Sequence, residues 1–186
     1  NVRIVLLFQP AEETGEGAPS ILADENFEQI VPDYIFALHN LPGFPMHQIV
    51  TTGSEFTSTV QSVSISLHGK ESHAAEPENG LNPALAIAEL IQQYNDIVVN
   101  DVRDDNFALI TPVYGSLGSK DYGVSPADGE LHLTIRTRAP QQMDELMSKV
   151  ESIAAKVTDK HKLSKELLWF DYFAATKNDA FCNKII

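Results

Sequence analysis

The period of the hydrophobic pattern changes near Ser58, and this change constrains the fold more than any other feature of the 186-residue chain. Before it, VRIVLLF (2–8) and YIFALHN (34–40) are nearly continuous apolar runs, typical of strands covered on both faces in a parallel sheet. After it, VQSVSISLHG (60–69) alternates apolar and polar residues, which indicates a strand with one face open to water. The sequence therefore predicts two architectures that meet near residue 58.

The sequence pattern of residues 1–57 predicts part of an α/β domain. A helix is expected from about Gly17 to residue 30, between the two apolar runs, and the order strand, helix, strand is a βαβ unit. Ligands of α/β domains bind where the parallel strands end. A site in this part of the chain is therefore expected in the loops that follow the two apolar runs.

The sequence pattern of residues 58–172 predicts a second domain, of the α+β class. Strands are expected within 58–69, 107–115, 129–138 and 166–173, and amphipathic helices within 80–98 and from Pro140 to about residue 157. The resulting order, β-α-β-β-α-β, is that of a ferredoxin-like sheet with both helices on one face. Residues 173–186 are expected to begin a return into the first domain.

The composition excludes several classes of partner. The formal net charge is −13 and the basic residues are scattered, which argues against nucleic acid. No apolar run approaches the roughly 20 residues that cross a bilayer, and the single cysteine, Cys182, excludes an internal disulfide. A cytoplasmic protein is therefore predicted. Because the chain starts inside a strand-like run and ends without a helix stop signal, we expect it to be part of a longer protein.

Glu12 and Glu13 form an adjacent carboxylate pair after the first apolar run. Such a pair in an acidic protein is usually a solvated loop, but its place at a strand end favours a site. On an extended backbone the two side chains would diverge, so one could face a metal ion and the other a bound water. His39 ends the second apolar run, where a lone histidine is more often structural; two parallel strands would bring it close to Glu13.

Two further residues have both a functional and an ordinary interpretation. His73 lies in the dense loop GKESHAAEPENGLNP (69–83), which could equally be a polar surface loop. Arg136 lies on the polar face of its strand and could equally be a solvated edge residue or an ion-pair partner.

Four stretches together resemble a family of two-metal amidohydrolases and peptidases that includes aminoacylases, hippurate hydrolases, auxin-conjugate hydrolases and related carboxypeptidases. They are FQPAEETGEGA, ALHNLPG, GKESHAAEPENGLNPA and LTIRTRAP, in this order along nearly the whole chain. The resemblance implies a zinc-peptidase-like α/β catalytic domain that is interrupted by a ferredoxin-like lid, and this lid also forms a homodimer.

The resemblance also implies roles for individual residues. Glu12 matches the general base, and Glu13 and His39 match ligands of a site for two divalent metal ions, zinc or alternatively manganese or cobalt. His73 matches a lid histidine that reaches the active site of the partner subunit to steady the substrate or its oxyanion. Arg136 matches an arginine near the substrate carboxylate. The implied substrate is a small N-acyl amino acid or peptide, whose amide bond is hydrolysed.

The chain departs from the family pattern in two ways. It lacks the family's His-Ala-Cys-Gly-His-Asp block and its late histidine, so further metal ligands are missing and we expect this chain to be inactive alone. Gly123 stands where the family tends to have asparagine. The alternative hypothesis is therefore a non-catalytic dimerisation and binding module, in which the carboxylate pair is vestigial or merely solvated.

Overall fold

The computed structural model describes residues 2–53 and 55–186, and the chain divides into two compact units. The first unit comprises Asn1–Phe56 and Lys177–Ile186, and the second comprises Thr57–Thr176. Asn1 and Ser54, which belong to the first predicted domain, lie outside the described residues. Together the units form a mixed α/β structure.

The second unit contains a four-stranded sheet in which every neighbouring pair is antiparallel. Its strands are β1 (Thr59–His68), β3 (Ala108–Leu117), β5 (Asp128–Thr137) and β6 (Ser164–Phe173). Their spatial order is β3-β5-β1-β6. The helices α2 (Ala84–Asp96) and α3 (Pro140–His161) connect β1 to β3 and β5 to β6. The β-α-β-β-α-β order predicted from the sequence is therefore observed for the long elements.

Two short strands were not predicted. β2 (Ser72–His73) and β4 (Val124–Ser125) pair with each other in a separate two-stranded sheet. Both lie in segments that read as polar loops, because two residues are too few to establish a period.

The core of the second unit follows the two periods of the sequence. On β1, Val63, Ile65 and Leu67 are completely buried, whereas the serines between them are only half-buried. The buried face packs against one stripe of each helix. The core includes Val63, Ile65, Leu67, Ala86, Leu90, Tyr94, Leu131, Leu133, Ile135, Met143, Val150, Ala154 and Val157. Burial of each large side chain stabilises the fold by about 1.5–3 kcal/mol, which makes this contact the main source of its stability.

The first unit is less regular than its sequence predicts. Its helix α1 covers only Gly17–Ala23 and is followed by a 3₁₀ helix at Glu25–Gln29. The predicted continuous helix is interrupted at Asp24, which has extended backbone angles and whose side chain accepts a hydrogen bond from the Asn26 N–H at 2.8 Å. Asp24 thus caps the second segment and ends the first.

The prediction of strands at 2–8 and 34–40 is wrong for this structure. Neither run forms a strand ladder with any of the described residues, and Ile4, Phe8 and Leu38 are more than 80% exposed. A continuous apolar run indicates burial on both faces, but the covering layers and neighbouring strands must come from other segments. The described residues do not provide them, so the apolar pattern is present without the sheet.

The end of the chain belongs to the first unit. Lys177 forms an isolated antiparallel bridge with Glu55, and the side-chain amides of Asn178 and Asn183 donate to the Thr52 carbonyl at 3.1 and 2.8 Å. Among the described residues, no helix is both long enough and apolar enough to cross a membrane.

An ion cluster joins α2 to the end of α3. Lys160 Nζ lies 2.8 and 3.0 Å from the two carboxylate oxygens of Glu89, and His161 Nε2 lies 2.9 Å from Oε2. The hydrogen bond from Lys160, followed by that from His161, lowers the pKa of Glu89 from 4.5 to about 2. Ionised Glu89 therefore holds the two helices together.

We predict that Glu89→Gln lowers the melting temperature at neutral pH, and that its difference from the unchanged chain shrinks in acid. Because the pKa of Glu89 is lower in the folded state, its stabilisation is complete above about pH 4.5 and is lost as the pH falls toward 2. Thermal denaturation over this pH range, with Glu145→Gln on the exposed side of α3 as control, tests this. A difference that is constant with pH would contradict it.

We predict that Tyr94→Phe lowers the free energy of unfolding by about 1 kcal/mol. Tyr94 on α2 is 1% exposed, and its hydroxyl donates to the Val150 carbonyl of α3 at 3.1 Å; burial raises its pKa. Tyr122→Phe is the matched control, since Tyr122 is 97% exposed. Urea denaturation of both variants measures the difference, and equal effects would show that the buried hydrogen bond contributes nothing.

Candidate functional site

Glu12 and Glu13 lie in a turn rather than on the extended backbone expected from the sequence. The Glu12 carbonyl accepts a hydrogen bond from the Gly15 N–H at 3.0 Å, and the Ala11 carbonyl accepts one from the Gly17 N–H at 3.2 Å. Both glutamates are exposed. The argument that strand alternation directs the two carboxylates to opposite sides therefore does not apply, and any separation of their roles must come from the turn itself.

The backbone of this turn is closely constrained. Ala11 has φ of 50° and Gly15 has φ of 75°, so both adopt the left-handed region, which is unfavourable for alanine by roughly 1–2 kcal/mol. A Cβ on Gly17 would lie 1.9 Å from the Pro10 carbonyl oxygen, so only glycine allows the chain to pass there. Unfavourable backbone angles of this kind concentrate at functional sites. The carboxylate pair is thus held in a specific loop conformation.

His39 is an exposed residue of the first unit, and its ring centroid lies 6.4 Å from that of Phe56. Convergence of His39 and Glu13 on one cation stays a prediction. Among residues 2–53 and 55–186, no group of three or more histidine, cysteine, aspartate or glutamate side chains is arranged to hold a metal ion. Since catalytic metal sites take about three protein ligands per ion, the described residues alone do not fit a complete metal centre.

His73 lies in the second unit and is held by its own loop. It pairs with Val124 in the β2–β4 ladder, and the next residue, Ala74, donates its N–H to the Gly123 carbonyl at 2.9 Å. The Ala75 N–H donates to His73 Nδ1 at 3.0 Å. A backbone N–H can only donate, so Nδ1 is unprotonated and the proton of the neutral ring is on Nε2. The exposed end of His73 is therefore a hydrogen-bond donor.

Arg136 lies on the face of β5 that the helices leave open, opposite Val60 of β1 and Leu109 of β3. Its side chain is exposed and makes no hydrogen bond or ion pair with the described residues. Arg138, two positions further, pairs with Asp105 at 2.9 Å. The ion-pair interpretation that the sequence left open for Arg136 is therefore not observed within the described chain, and its guanidinium can bind an external carboxylate.

The loop that carries His73 has contacts that sequence reasoning missed. Its two glycines are at positions of close approach: a Cβ on Gly69 would lie 1.9 Å from the Leu81 carbonyl oxygen, and one on Gly80 would lie 2.6 Å from Ser72 Oγ. These glycines are the sequence signal of a folded rather than a freely solvated loop. The sequence contains no comparable signal for the pairing of β2 with β4.

The chain is similar in sequence to known proteins over most of its length. The sequence model described as peptidase family M20/M25/M40 matches residues 1–176. Curated relatives include the N-acetyldiaminopimelate deacetylases of Anoxybacillus flavithermus, 34% identical over 151 residues, and Priestia megaterium, 31% identical over 150 residues. Each match covers 81% of this chain, which spans only 39% and 40% of the length of these two relatives.

Solved structures share the fold. The Bacillus subtilis YXEP protein, described as a dinuclear metal-binding peptidase from the M20 family, matches 95% of this chain with a TM-score of 0.70 and 22% identity, over 43% of its own length. The aminobenzoyl-glutamate utilization protein from Klebsiella pneumoniae matches 67% of this chain with a TM-score of 0.59 and 14% identity, over 31% of its own length. With a family model that matches 176 consecutive residues, the chain belongs to peptidase family M20/M25/M40.

Proposed function

We propose that the full-length gene product is a metal-dependent hydrolase that cleaves the amide bond of an N-acyl amino acid or small peptide. The observation that carries this proposal is family membership along residues 1–176, in a chain that has Glu12, Glu13, His39, His73 and Arg136 within the four motif stretches. The names of the curated relatives describe removal of an acetyl group from an acetylated amino acid, which supports the same class of reaction here.

The proposed domain organisation assigns residues 1–57 and 173–186 to the α/β catalytic domain and residues 58–172 to a ferredoxin-like lid. The strand order β3-β5-β1-β6, with two helices in a β-α-β-β-α-β sequence, supports the assignment of the lid. We propose that the lid forms the homodimer. Its edge strands are β3 and β6, and on their outer sides the described residues provide one partner, Val99, which pairs with Ala108 at the start of β3. Further along the β3 edge, Val113 and Tyr114 are 60% and 53% exposed.

The proposed cofactor is a pair of divalent metal ions, zinc or alternatively manganese or cobalt, to which Glu13 and His39 contribute a carboxylate oxygen and an imidazole nitrogen. Because the described residues lack a complete donor set, the roles proposed for the other residues are derived without the ions. We place the protein in the cytoplasm, in keeping with its single cysteine.

Three side chains of this chain would divide the chemistry of amide hydrolysis. The Glu12 carboxylate takes a proton from the attacking water and passes it to the leaving amine. The Nε2–H of His73, from the partner subunit, donates a hydrogen bond to the oxyanion of the tetrahedral intermediate. The Arg136 guanidinium binds the substrate carboxylate through two parallel hydrogen bonds. The protonated Nε2 of His73 and the unpaired state of Arg136 among the described residues support these roles.

The alternative function is a non-catalytic dimerisation and binding module. The absence of a metal-holding group among the described residues is the observation that favours it. The metal content of the full-length gene product distinguishes the two hypotheses. About two ions per chain are expected of the hydrolase and none of the binding module.

We predict that Glu12→Gln lowers kcat for N-acyl amino acids at least about 100-fold in the full-length gene product, while its metal content is unchanged. Glutamine keeps the size of the side chain but cannot accept the proton. Glu16→Gln, which changes another exposed carboxylate at the end of the same loop, should retain activity. Turnover within a few-fold of the unchanged enzyme would rule out Glu12 as the base.

A further inference from the structure

The strand that carries His73 is too short to hold itself in place. β2 and β4 have two residues each and form a sheet separate from the four-stranded one. Isolated two-stranded pairings are marginally stable in water even when they are longer. The fixed orientation of His73 therefore needs a further connection to the rigid part of the second unit.

Backbone hydrogen bonds join Gly69 to Ala127 and Lys70 to Leu81, and Asn82 provides the side-chain part of this connection. Its Oδ1 accepts a hydrogen bond from the Ala84 N–H at the start of α2 at 2.8 Å, and its Nδ2 donates to Ser125 Oγ of β4 at 3.1 Å. The first contact fixes the orientation of the amide, because a backbone N–H requires the oxygen. Among the described residues, no other side chain outside β4 forms a hydrogen bond with Val124 or Ser125.

Both ends of this connection are firmly placed. Ser125 is 7% exposed and lies directly opposite Ser72, the neighbour of His73, in the β2–β4 ladder. On the other side, α2 is anchored in the core, where Ala86 and Leu90 are completely buried. A rigid path therefore runs from the core through Asn82 and Ser125 to the strand that carries His73.

We propose that Asn82 is a positioning residue for His73, acting through its hydrogen bond to Ser125. The catalytic consequence rests on the proposed function, in which the Nε2–H of His73 meets the oxyanion. Without the connection, β4 separates from the start of α2, the β2–β4 ladder opens, and the Nε2–H no longer has one position. When the Nε2–H of His73 is no longer held in one position, its hydrogen bond to the oxyanion weakens. Because this hydrogen bond is needed only in the transition state, kcat falls more than KM rises.

Three substitutions separate this role from simple helix capping. Asn82→Ser keeps an acceptor for the Ala84 N–H, but its side chain is too short to reach Ser125. Ser125→Ala removes the acceptor on β4 and leaves the cap of α2 intact. Asn82→Asp keeps the cap and can accept a hydrogen bond from the Ser125 hydroxyl, so it is the conservative variant expected to rescue. Asn95→Ser, at an exposed position of α2, is the matched control.

The first measurement uses nuclear magnetic resonance of this chain and does not depend on activity. We expect Asn82→Ser and Ser125→Ala each to speed hydrogen exchange of the Ala74 amide roughly tenfold. The double variant should add nothing further, because both changes break one bond. The ¹⁵N shifts of His73 should lose the pattern of a single Nε2–H tautomer. Asn82→Asp and Asn95→Ser should behave as the unchanged chain, and amides of β1 should keep their protection.

The second measurement is kinetic and uses the full-length gene product. We expect kcat to fall roughly tenfold in Asn82→Ser and Ser125→Ala with KM nearly constant, and to recover in Asn82→Asp. The proposal is overturned if Ala74 exchange and the His73 tautomer are unchanged in both single variants. If Asn82→Ser unfolds the second unit, Ser125→Ala decides alone, since it leaves the helix cap in place.

The two measurements also separate this proposal from the proposed function. Changes at Ala74 and His73 in the spectra, together with full turnover of a His73→Ala variant, would support the positioning role and contradict the role of His73 in catalysis. An inactive His73→Ala variant, together with Asn82 and Ser125 variants that change neither spectra nor kcat, would contradict the positioning role alone.

Discussion

The structure of the second unit depends on the burial of one face of its sheet beneath α2 and α3. β1 is central to this contact, because it pairs with both β5 and β6 and completely buries Val63, Ile65 and Leu67. Since strand side chains alternate, the same registers fix what the open face presents. They place Arg136 there, and they place the end of β1 where the His73 loop begins. The candidate functional groups of this unit are consequences of how the core packs.

The candidate functional residues are held by local backbone conformations and hydrogen bonds that differ between the two units. In the first unit, a left-handed Ala11 and the close approach at Gly17 shape the loop of Glu12 and Glu13. In the second unit, the Ala75 N–H fixes the tautomer of His73, whereas Arg136 is left without a partner among the described residues. A hydrogen-bond donor, a cation that has no partner in the described part of the chain and exposed carboxylates are the groups that the proposed hydrolysis would use.

Prediction from the sequence was most accurate where the apolar face of an element is buried by other described residues of this chain. The burial of β1 and β5 alternates with period two, and α2 and α3 each bury one stripe, because these apolar faces meet within the described residues. The edge strands β3 and β6 were also predicted, although their burial does not alternate regularly. The runs at 2–8 and 34–40 were misassigned, since a doubly covered strand depends on distant segments. The two-residue strands and the turn at Glu12 show no period at all. The metal site, which requires ligands from separate parts of a chain, stays a prediction for the same reason.

The central claim is that Glu13 and His39 bind the same metal centre, with Glu12 beside the attacking water. A crystal structure of the full-length gene product with bound zinc, phased on the anomalous signal of the metal, tests this most directly. We predict anomalous peaks at about 2.0–2.2 Å from a Glu13 carboxylate oxygen and from a His39 ring nitrogen. Ions held entirely by other residues, with either of these side chains turned away, would contradict the account.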